Sequence, residues 1–306
     1  MSPAPSPAPS SRWNSSTLAA LYRAACLAEL DAPKPGNVHR FADGHGMSVA
    51  DFERAALASS APLTAPHLSL GQRIFEAVAA SRAAVGQNAN LGIILLAAPL
   101  AMAALRGGPL DAALAAVLAE ADLADTAALF AAIRLAAPGG LGKSARHDVF
   151  APPAVPPRTA MCEAAGRDLI ARQWCFAGAD LFALGRPALR AWRARGWPYP
   201  ALAPYFAYLA AFPDSHIQRK HGLAAAEAVR AEAARQQLAL WQAPNPAARL
   251  DALLAWDRAL KAAGLNPGTS ADLTVATLFL DALLSPPPAQ LPPSNEKADR
   301  IIESGC

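Results

Sequence analysis

Helix-forming sequence runs almost from end to end of this 306-residue chain, and it leaves little from which a β-sheet could be built. Apolar residues recur at helical spacing, as in the stripe of Leu18, Leu21 and Ala25, whereas alternating β-branched runs are nearly absent. Capping residues and Pro or Gly breaks separate these stripes. The sequence therefore predicts an all-α protein with one globular domain of roughly ten helices.

Local signals predict where individual helices begin and end. The patterns SVAD at Ser48 and SLGQ at Ser69 are typical capping boxes. Ser15 and Ser16 are expected to cap the first helix, which should stop before Pro33. Further helices are predicted over residues 91–105, 161–184, 224–240 and 271–284, with two more that meet near Asp122.

Composition divides the chain into three parts. Residues 1–14 are expected to form a disordered Pro/Ser leader, residues 15–285 the helical domain, and residues 286–306 a Pro-rich tail. Inside the domain, the segment 186–213 is rich in Trp, Tyr and Pro. It is expected to be a connecting segment or a lid.

The apolar character of the chain does not indicate a membrane protein. Hydrophobic residues make up 53% of the sequence, but much of that share is alanine. The longest apolar run, Leu91 to Leu105, contains Pro99 and is shorter than the roughly 20 residues that a bilayer requires. It is expected to be a buried core helix.

Charge and cysteine usage exclude several other classes. A net charge of +3, without a dense Lys/Arg run, does not suggest a nucleic-acid partner. The N-terminus has no apolar signal core. The cysteines are far apart in the sequence and form no C-x-x-C pair, so the reducing cytoplasm is the expected location; they are Cys26, Cys162, Cys175 and Cys306.

Polar residues collect in five short packets at kinks and predicted helix ends. Each packet also has a purely structural interpretation: the TSAD pattern at Thr269 could be a capping box, the PGGLG turn a helix stop, and Asp168 with Arg172 a solvated ion pair. Together they supply helix N-termini, cationic groups and carboxylates, which is the chemistry that binds a polyphosphate.

Six stretches within these packets resemble the triphosphoribosyl-dephospho-CoA synthase family, in particular a compact branch of it. They occur in the family's order and cover residues 18–284: PKPGNVHRF (33–41), NANLGIILLAAPLA (88–101), AIRLAAPGGLG (132–142), AGRDLIARQ (165–173), RKHG (219–222) and NPGTSADL (266–273). One departure is Ala89, which stands where the family's Asn-Thr-Asn triplet would have threonine.

The resemblance implies an all-helical enzyme that transfers the triphosphoribosyl unit of ATP to the 2′-hydroxyl of 3′-dephospho-CoA and releases adenine. Such a transfer develops positive charge at the anomeric carbon, which carboxylates can stabilise. It also implies small nucleotide substrates, Mg²⁺ as a cofactor and no nucleic-acid or membrane partner. A homodimer is a further expectation.

Roles for individual residues follow as hypotheses from the resemblance and the packets. The catalytic carboxylate is expected to be Glu29 or Asp43, which flank the first kink, and Mg²⁺ is expected at Asp148 and Asp214. The predicted phosphate and nucleotide ligands are Lys34, Asn37, His39, Arg40, Asn88, Asn90, Arg134, Arg219, Lys220, Thr269 and Ser270. The predicted supporting residues are Arg167, Asp168, Arg172, Asn266 and Asp272.

Three alternatives remain open at the level of sequence. A phosphoribosyltransferase that builds a pterin-type, methanopterin-like one-carbon carrier would need the same chemistry with another donor or acceptor, and both Ala89 and the compact length favour it. A helical nucleotide-binding protein without catalysis would bind nucleotide and not turn it over. A ribosyl hydrolase would use water as the acceptor.

Overall fold

The computed structural model describes residues 12–285, and this part of the chain contains fourteen α-helices and no strand. The helices are α1 (Ser15–Leu30), α2 (Val49–Thr64), α3 (Leu70–Val85), α4 (Leu91–Arg106), α5 (Leu110–Glu120), α6 (Leu123–Ala136), α7 (Pro157–Ala164), α8 (Leu169–Cys175), α9 (Arg186–Ala194), α10 (Leu202–Ala211), α11 (Ser215–His221), α12 (Leu223–Gln242), α13 (Leu250–Ala262) and α14 (Gly268–Leu284). The all-α prediction is confirmed, with more helices than expected.

Two long apolar helices, α4 and α14, form the centre of the molecule. Thirteen of the 16 residues of α4 and thirteen of the 17 residues of α14 are buried, and the two helices pack against each other. The helices α2, α3 and α5 surround α4, and α1, α10 and α11 surround α14. Because most residues of α4 and α14 are buried, the other helices must cover them on nearly all sides, and the two helices thus fix where the others pack. Their first turns face the same cavity, described below.

Within residues 12–285, no single helix is long and apolar enough to cross a membrane. Taken together, α4 and α5 are long and apolar enough for a membrane span, but the chain bends by 113° between them. The helix α4 is the buried core helix expected from the run Leu91 to Leu105.

Most local start signals are confirmed. The backbone N–H of Ser69 donates to Gln72 Oε1 at 3.1 Å, as a capping box requires, and Ser48 does the same to Asp51 Oδ2 at 2.8 Å. Asp122 caps α6, so the predicted boundary between two helices lies where it was expected. The cap of α1 is Asn14 rather than Ser15 or Ser16, because its Oδ1 accepts from Thr17 N at 2.8 Å.

Other local predictions are wrong for identifiable reasons. The expected helix over 161–184 is divided into α7, α8 and a π-helical turn, because Asp168 accepts the N–H groups of Ile170 and Ala171 and so starts a new helix. The segment 186–213 contains α9 and the buried α10 and is not a lid. The TSAD pattern is no cap, since α14 begins earlier, at Gly268.

The predicted termini are only partly within the described residues. Trp13 is buried, so the folded part starts before the predicted boundary at residue 15. Residues 1–11 of the leader and the whole predicted tail, 286–306 with Cys306, lie outside the described part of the chain.

The kink that follows α1 is a buried elbow, comprising residues 32–39. Tyr205 Oη donates to the carbonyl of Pro35 at 2.6 Å, and Gly36 N donates to Asp257 Oδ1 at 2.8 Å. Gly36 has φ +82°, and a Cβ there would lie 2.8 Å from Cδ of Pro267. The elbow is therefore packed between α10, α13 and the start of α14.

Candidate active site

One cavity of about 750 Å³ receives residues from all six stretches that carry the family resemblance. That volume falls within the range of roughly 300–1,000 Å³ that is usual for small-molecule sites. Its walls include the first turns of α4 and α14, the C-terminal end of α6, the loop that follows it, and α11. The predicted convergence of distant segments is thus observed.

Hydrogen bonds between the segments fix their relative positions. Asp214 Oδ2 accepts both the backbone N–H and the hydroxyl of Ser270 at 2.8 Å, which joins α11 to α14. Asn37 Nδ2 donates to Asn266 Oδ1 at 2.9 Å, which joins the elbow to the same helix start. The cavity is consequently built on helix ends that cannot move independently.

Asp272 contributes a carboxylate from the first turns of α14 to the cavity wall. The close approach of α4 depends on Gly92, because a Cβ there would lie 2.0 Å from Asp272 Oδ2. Among residues 12–285, no hydrogen-bond donor or cation is paired with this carboxylate. Burial, followed by the charges of Asp214 and Glu29, raises the pKa of Asp272 well above its ordinary value.

Glu29 is the second carboxylate in this part of the cavity, and it is paired. Lys34 Nζ lies 3.1 Å from Glu29 Oε1, and both side chains are almost completely buried. Burial raises the pKa of Glu29, and the neighbouring ammonium opposes that shift. Glu29 has a cation beside it and Asp272 has no ion pair within residues 12–285, so the ionised form is favoured more at Glu29 than at Asp272.

Cationic side chains line the other part of the cavity. Arg219 approaches Asp168 Oδ2 at 3.4 Å, and Arg146 pairs with Glu163 at 3.0 Å. Four other cations that line the cavity have no ion pair within the described part of the chain: Arg82, Lys143, Arg167 and Lys220. Such unpaired cations at helix ends and loops are suited to phosphate groups.

The loop between α6 and α7 brings several of these cations to the cavity. Asp148 organises it, because its carboxylate accepts Ser144 N at 2.6 Å and Phe150 N at 2.8 Å, and these backbone bonds lower the pKa of Asp148. The sequence reasoning missed Lys143, Arg146 and also Arg82, although the first two directly follow the glycine-rich turn.

Other predicted site residues that line the cavity are Asn37, Asn88, Arg167, Asp168, Asn266 and Thr269, and their roles remain predictions. Asn88 Oδ1 accepts the N–H of Leu91, the first residue of α4, at 3.2 Å. Asp168 pairs with Arg219, whereas Arg172 pairs with Asp180 at 2.7 Å, so the predicted pair of Asp168 with Arg172 is wrong.

The remaining predicted residues do not line the cavity: Lys34, His39, Arg40, Asp43, Asn90, Arg134, Arg172, Asp214 and Ser270. Lys34 and His39 point into the protein, where His39 Nε2 lies 3.3 Å from Asp257 Oδ1. Arg40 is exposed and pairs with Asp31 and Glu53. These placements correct the expectation that the elbow directs its cations at a phosphate.

The rest of this group has structural partners. Asp43 is exposed and accepts the N–H of Val49, the first residue of α2, at 3.1 Å. This bond at the start of α2 replaces the catalytic role that was expected for Asp43. Asn90 is buried in a network with Ser81 and Ser59. Arg134 is exposed and donates to the carbonyl of Val149.

The predicted magnesium ligands do not form a metal site. Asp214 is completely buried, and its two oxygens already accept four hydrogen bonds, from His216 N, Ile217 N and Ser270. Asp148 lies on the cavity wall, so the two carboxylates do not share a site. Residues 12–285 contain no cluster of three His, Cys, Asp or Glu side chains that could hold a metal ion.

A disulfide joins Cys162 to Cys175 and ties α7 to α8, although the two cysteines are far apart in the sequence. The segment between them carries Arg167 and Asp168 to the cavity. Cytosolic disulfides are uncommon, so this bond was not expected for a cytoplasmic protein.

We expect the double substitution Cys162→Ser with Cys175→Ser to lower the free energy of unfolding by about 3 kcal/mol, since a crosslink over a loop of about 15 residues restricts the unfolded chain by that amount. Urea denaturation of both proteins measures the difference. Cys26→Ser, at the buried free cysteine, is the control for loss of a thiol. Equal stability of the double variant and the wild type in oxidising buffer would contradict the structural role of the bond.

The comparisons with known proteins agree with this geometry. A family model described as "ATP:dephospho-CoA triphosphoribosyl transferase" matches residues 15–289. The chain belongs to the ATP:dephospho-CoA triphosphoribosyl transferase family. It is therefore a transferase, in a family whose reaction moves a triphosphoribosyl group from ATP to dephospho-CoA.

The fold of this transferase also has a solved counterpart. A crystal structure from Archaeoglobus fulgidus, provisionally assigned as a triphosphoribosyl-dephospho-CoA synthase, superposes with a TM-score of 0.58. The two chains are 23% identical, and the match covers 74% of this chain and 95% of the other. At that identity the likeness shows the fold alone. No curated protein sequence matches the chain.

Proposed function

We propose that Asp272 and Glu29 are the catalytic carboxylates of a triphosphoribosyl transfer from ATP to 3′-dephospho-CoA in the cavity described above. The observation that carries the proposal is that Asp272, which has no hydrogen bond or ion pair within residues 12–285, and the Lys-paired Glu29 line the same cavity as the cations. Asp272 takes the place of Asp43 in the sequence-based hypothesis.

The leaving base is the first requirement of this reaction, because breaking the ribose–adenine bond leaves negative charge on adenine. Burial raises the pKa of Asp272, which favours its protonated form, and the proposed role of this carboxyl group is to donate its proton to the departing base. The bond between the anomeric carbon and the adenine nitrogen breaks as this proton moves.

The acceptor hydroxyl is the second requirement, and it must lose its proton as it attacks the anomeric carbon. Glu29 is the proposed base, since the Lys34 ammonium favours its ionised form. Its charge also stabilises the positive anomeric carbon. The hydroxyl proton ends on Glu29 and the Asp272 proton on adenine, and exchange with water restores both groups.

The triphosphate of ATP is placed on the unpaired cations of the cavity. We expect Lys220→Ala to weaken ATP binding about 10- to 100-fold, the effect of one charge-assisted hydrogen bond, and to change kcat less. Titration calorimetry with ATP measures the affinity. Arg190→Ala, an exposed cation that does not line the cavity, is the matched control. Equal ATP affinity in Lys220→Ala and the wild type would contradict this placement.

Magnesium is proposed only as an ion that arrives with the substrate. Proteins often hold Mg²⁺ through one or two carboxylates together with substrate phosphates. The predicted pair Asp148 and Asp214 does not fit that arrangement, for the reasons given above, and no step in the mechanism is assigned to the ion.

The test of the proposed function is product formation. Incubation with ATP and dephospho-CoA should release adenine and give a product whose mass equals dephospho-CoA plus the triphosphoribosyl unit. Adenine release from ATP without any acceptor would indicate the hydrolase alternative instead. Nucleotide binding without turnover, under any acceptor, would indicate a non-catalytic binding protein.

A second candidate concerns the acceptor and donor, and Ala89 favours it. Ala89 lines the cavity, so the hydroxyl that the family triplet would supply is lost at the site itself. A phosphoribosyltransferase for a pterin-type one-carbon carrier would keep the same carboxylates and cations. Phosphoribosyl pyrophosphate with candidate alcohols, assayed beside ATP with dephospho-CoA, separates the two by product mass.

We also propose that the enzyme works in the cytoplasm on small nucleotides, with no nucleic-acid or membrane partner. A homodimer remains a prediction, and sedimentation equilibrium tests it.

A further inference from the structure

His216 lines the cavity, and neither of its ring nitrogens has a hydrogen-bond partner among residues 12–285. Its Nε2 is enclosed by the protein, so the ring nitrogen that a bound molecule can reach is Nδ1. Buried polar groups in native proteins nearly always have partners, because an unpaired one carries the full desolvation penalty. The missing partner of this imidazole is therefore expected to be a bound ligand.

The position of the imidazole is fixed by its surroundings. The backbone N–H of His216 donates to Asp214 Oδ1 at 2.9 Å, and Asp214 is itself bound to Ser270 on α14. Gly268 leaves the space for the ring, since a Cβ there would lie 2.4 Å from His216 Nδ1. The ring is consequently held against the start of α14.

The charge state of the imidazole selects the kind of group that it binds. Burial, followed by the nearby Lys220, Arg219, His45 and His221, lowers the pKa of His216 to about 3. A neutral imidazole offers one donor and one acceptor but no charge. Phosphate groups bind more strongly to the cations of the cavity, whereas a hydroxyl group can form a hydrogen bond with a neutral ring nitrogen.

The distance from Asp272 indicates which hydroxyl is within reach. Gly268, which touches the ring, and Asp272 lie one helical turn apart on α14, about 6 Å along its axis. If Asp272 donates its proton to the adenine that leaves the anomeric carbon, the His216 ring, one helical turn away, lies beside the hydroxyl groups of the same ribose. This step rests on the proposed function.

We propose that His216 binds one ribose hydroxyl of the donor nucleotide and so selects donors that carry that hydroxyl. The contact positions the anomeric carbon relative to Asp272. Its loss raises the barrier for ATP and removes the discrimination against a donor that lacks the hydroxyl.

The experiment measures every combination of enzyme variant and donor nucleotide. The wild type, His216→Phe and His216→Asn are each assayed for adenine release with ATP, 2′-deoxy-ATP and 3′-deoxy-ATP. We expect His216→Phe to lower kcat/KM for ATP about 10- to 100-fold, the effect of one unpaired polar group. For one of the two deoxy donors, His216→Phe and the wild type should have equal kcat/KM.

The other variants make the result specific. His216→Asn keeps a hydrogen-bonding side chain and should retain part of the discrimination, and it also serves as the test if His216→Phe does not fold. Lys220→Ala should lower kcat/KM for all three donors by the same factor. The proposal would be overturned if His216→Phe preferred ATP over both deoxy donors, in kcat/KM, as strongly as the wild type does. Failure of the wild type to release adenine from ATP would instead count against the proposed function.

Discussion

Replacing Asp272 by asparagine should lower kcat for adenine release by about 10²- to 10⁴-fold, the usual contribution of a general acid. Asparagine keeps the size of the side chain and its approach to Gly92 but cannot donate a carboxyl proton. Single-turnover assays with ATP and dephospho-CoA measure the chemical step. Asp43→Asn, at an exposed carboxylate outside the cavity, should retain wild-type kcat.

The pH dependence of this variant gives an independent check. Because the pKa of Asp272 is raised, the folded state binds the proton more tightly than the unfolded state. This contribution to stability is present at low pH and is lost as pH rises through the raised pKa. At neutral pH, Asp272→Asn should therefore be at least as stable as the wild type.

Activity should follow the same protonation. The kcat of the wild type should fall as pH rises through the raised pKa of Asp272, since the acid form is the one that donates. An Asp272→Asn enzyme with wild-type kcat, or with lower stability at neutral pH, would remove Asp272 from the proposed mechanism.

The second large effect concerns stability. Replacing Lys34 by methionine should lower the free energy of unfolding by about 3–5 kcal/mol, because it leaves a buried carboxylate without its counterion. Lys34 Nζ also donates to the carbonyls of Glu29 at 2.8 Å, Val38 at 3.0 Å and Ala32 at 3.5 Å, so the variant loses three further hydrogen bonds. Urea denaturation measures the change.

The matched control is Lys220→Met, which removes an exposed ammonium from the cavity and should change stability by less than about 0.5 kcal/mol. The two variants thus separate a structural lysine from a ligand-binding one. Unchanged stability in Lys34→Met together with weakened ATP binding would restore the sequence-based assignment of Lys34 to the phosphates.

Much of the fold is predictable from the sequence because its signals are local. The capping boxes at Ser48 and Ser69 and the buried run of α4 depend on residues within one or two turns. The division of residues 161–184 could not be predicted in the same way. The cap that starts α8, at Asp168, is local, but Arg219 and Ser215 reach this helix start from α11 and hold it in place.

The site was predictable as a set of segments but not as a set of side chains. The packets identify helix ends, and these do converge on one cavity. Which way each side chain points is decided by partners distant in sequence, such as Asp257 for His39 and Ser270 for Asp214. Composition cannot distinguish Lys34, which is a buried residue of the elbow, from Lys220, which lines the cavity.

Hydrogen exchange with and without nucleotide tests the central claim most directly, namely that the six segments form one nucleotide site. Saturating ATP with dephospho-CoA should slow exchange in residues 138–149 and 215–220, on the cavity wall, and leave α9 and the exposed face of α12 unchanged. Protection confined to α9 or α12, or no protection of the cavity segments at saturation, would contradict the account.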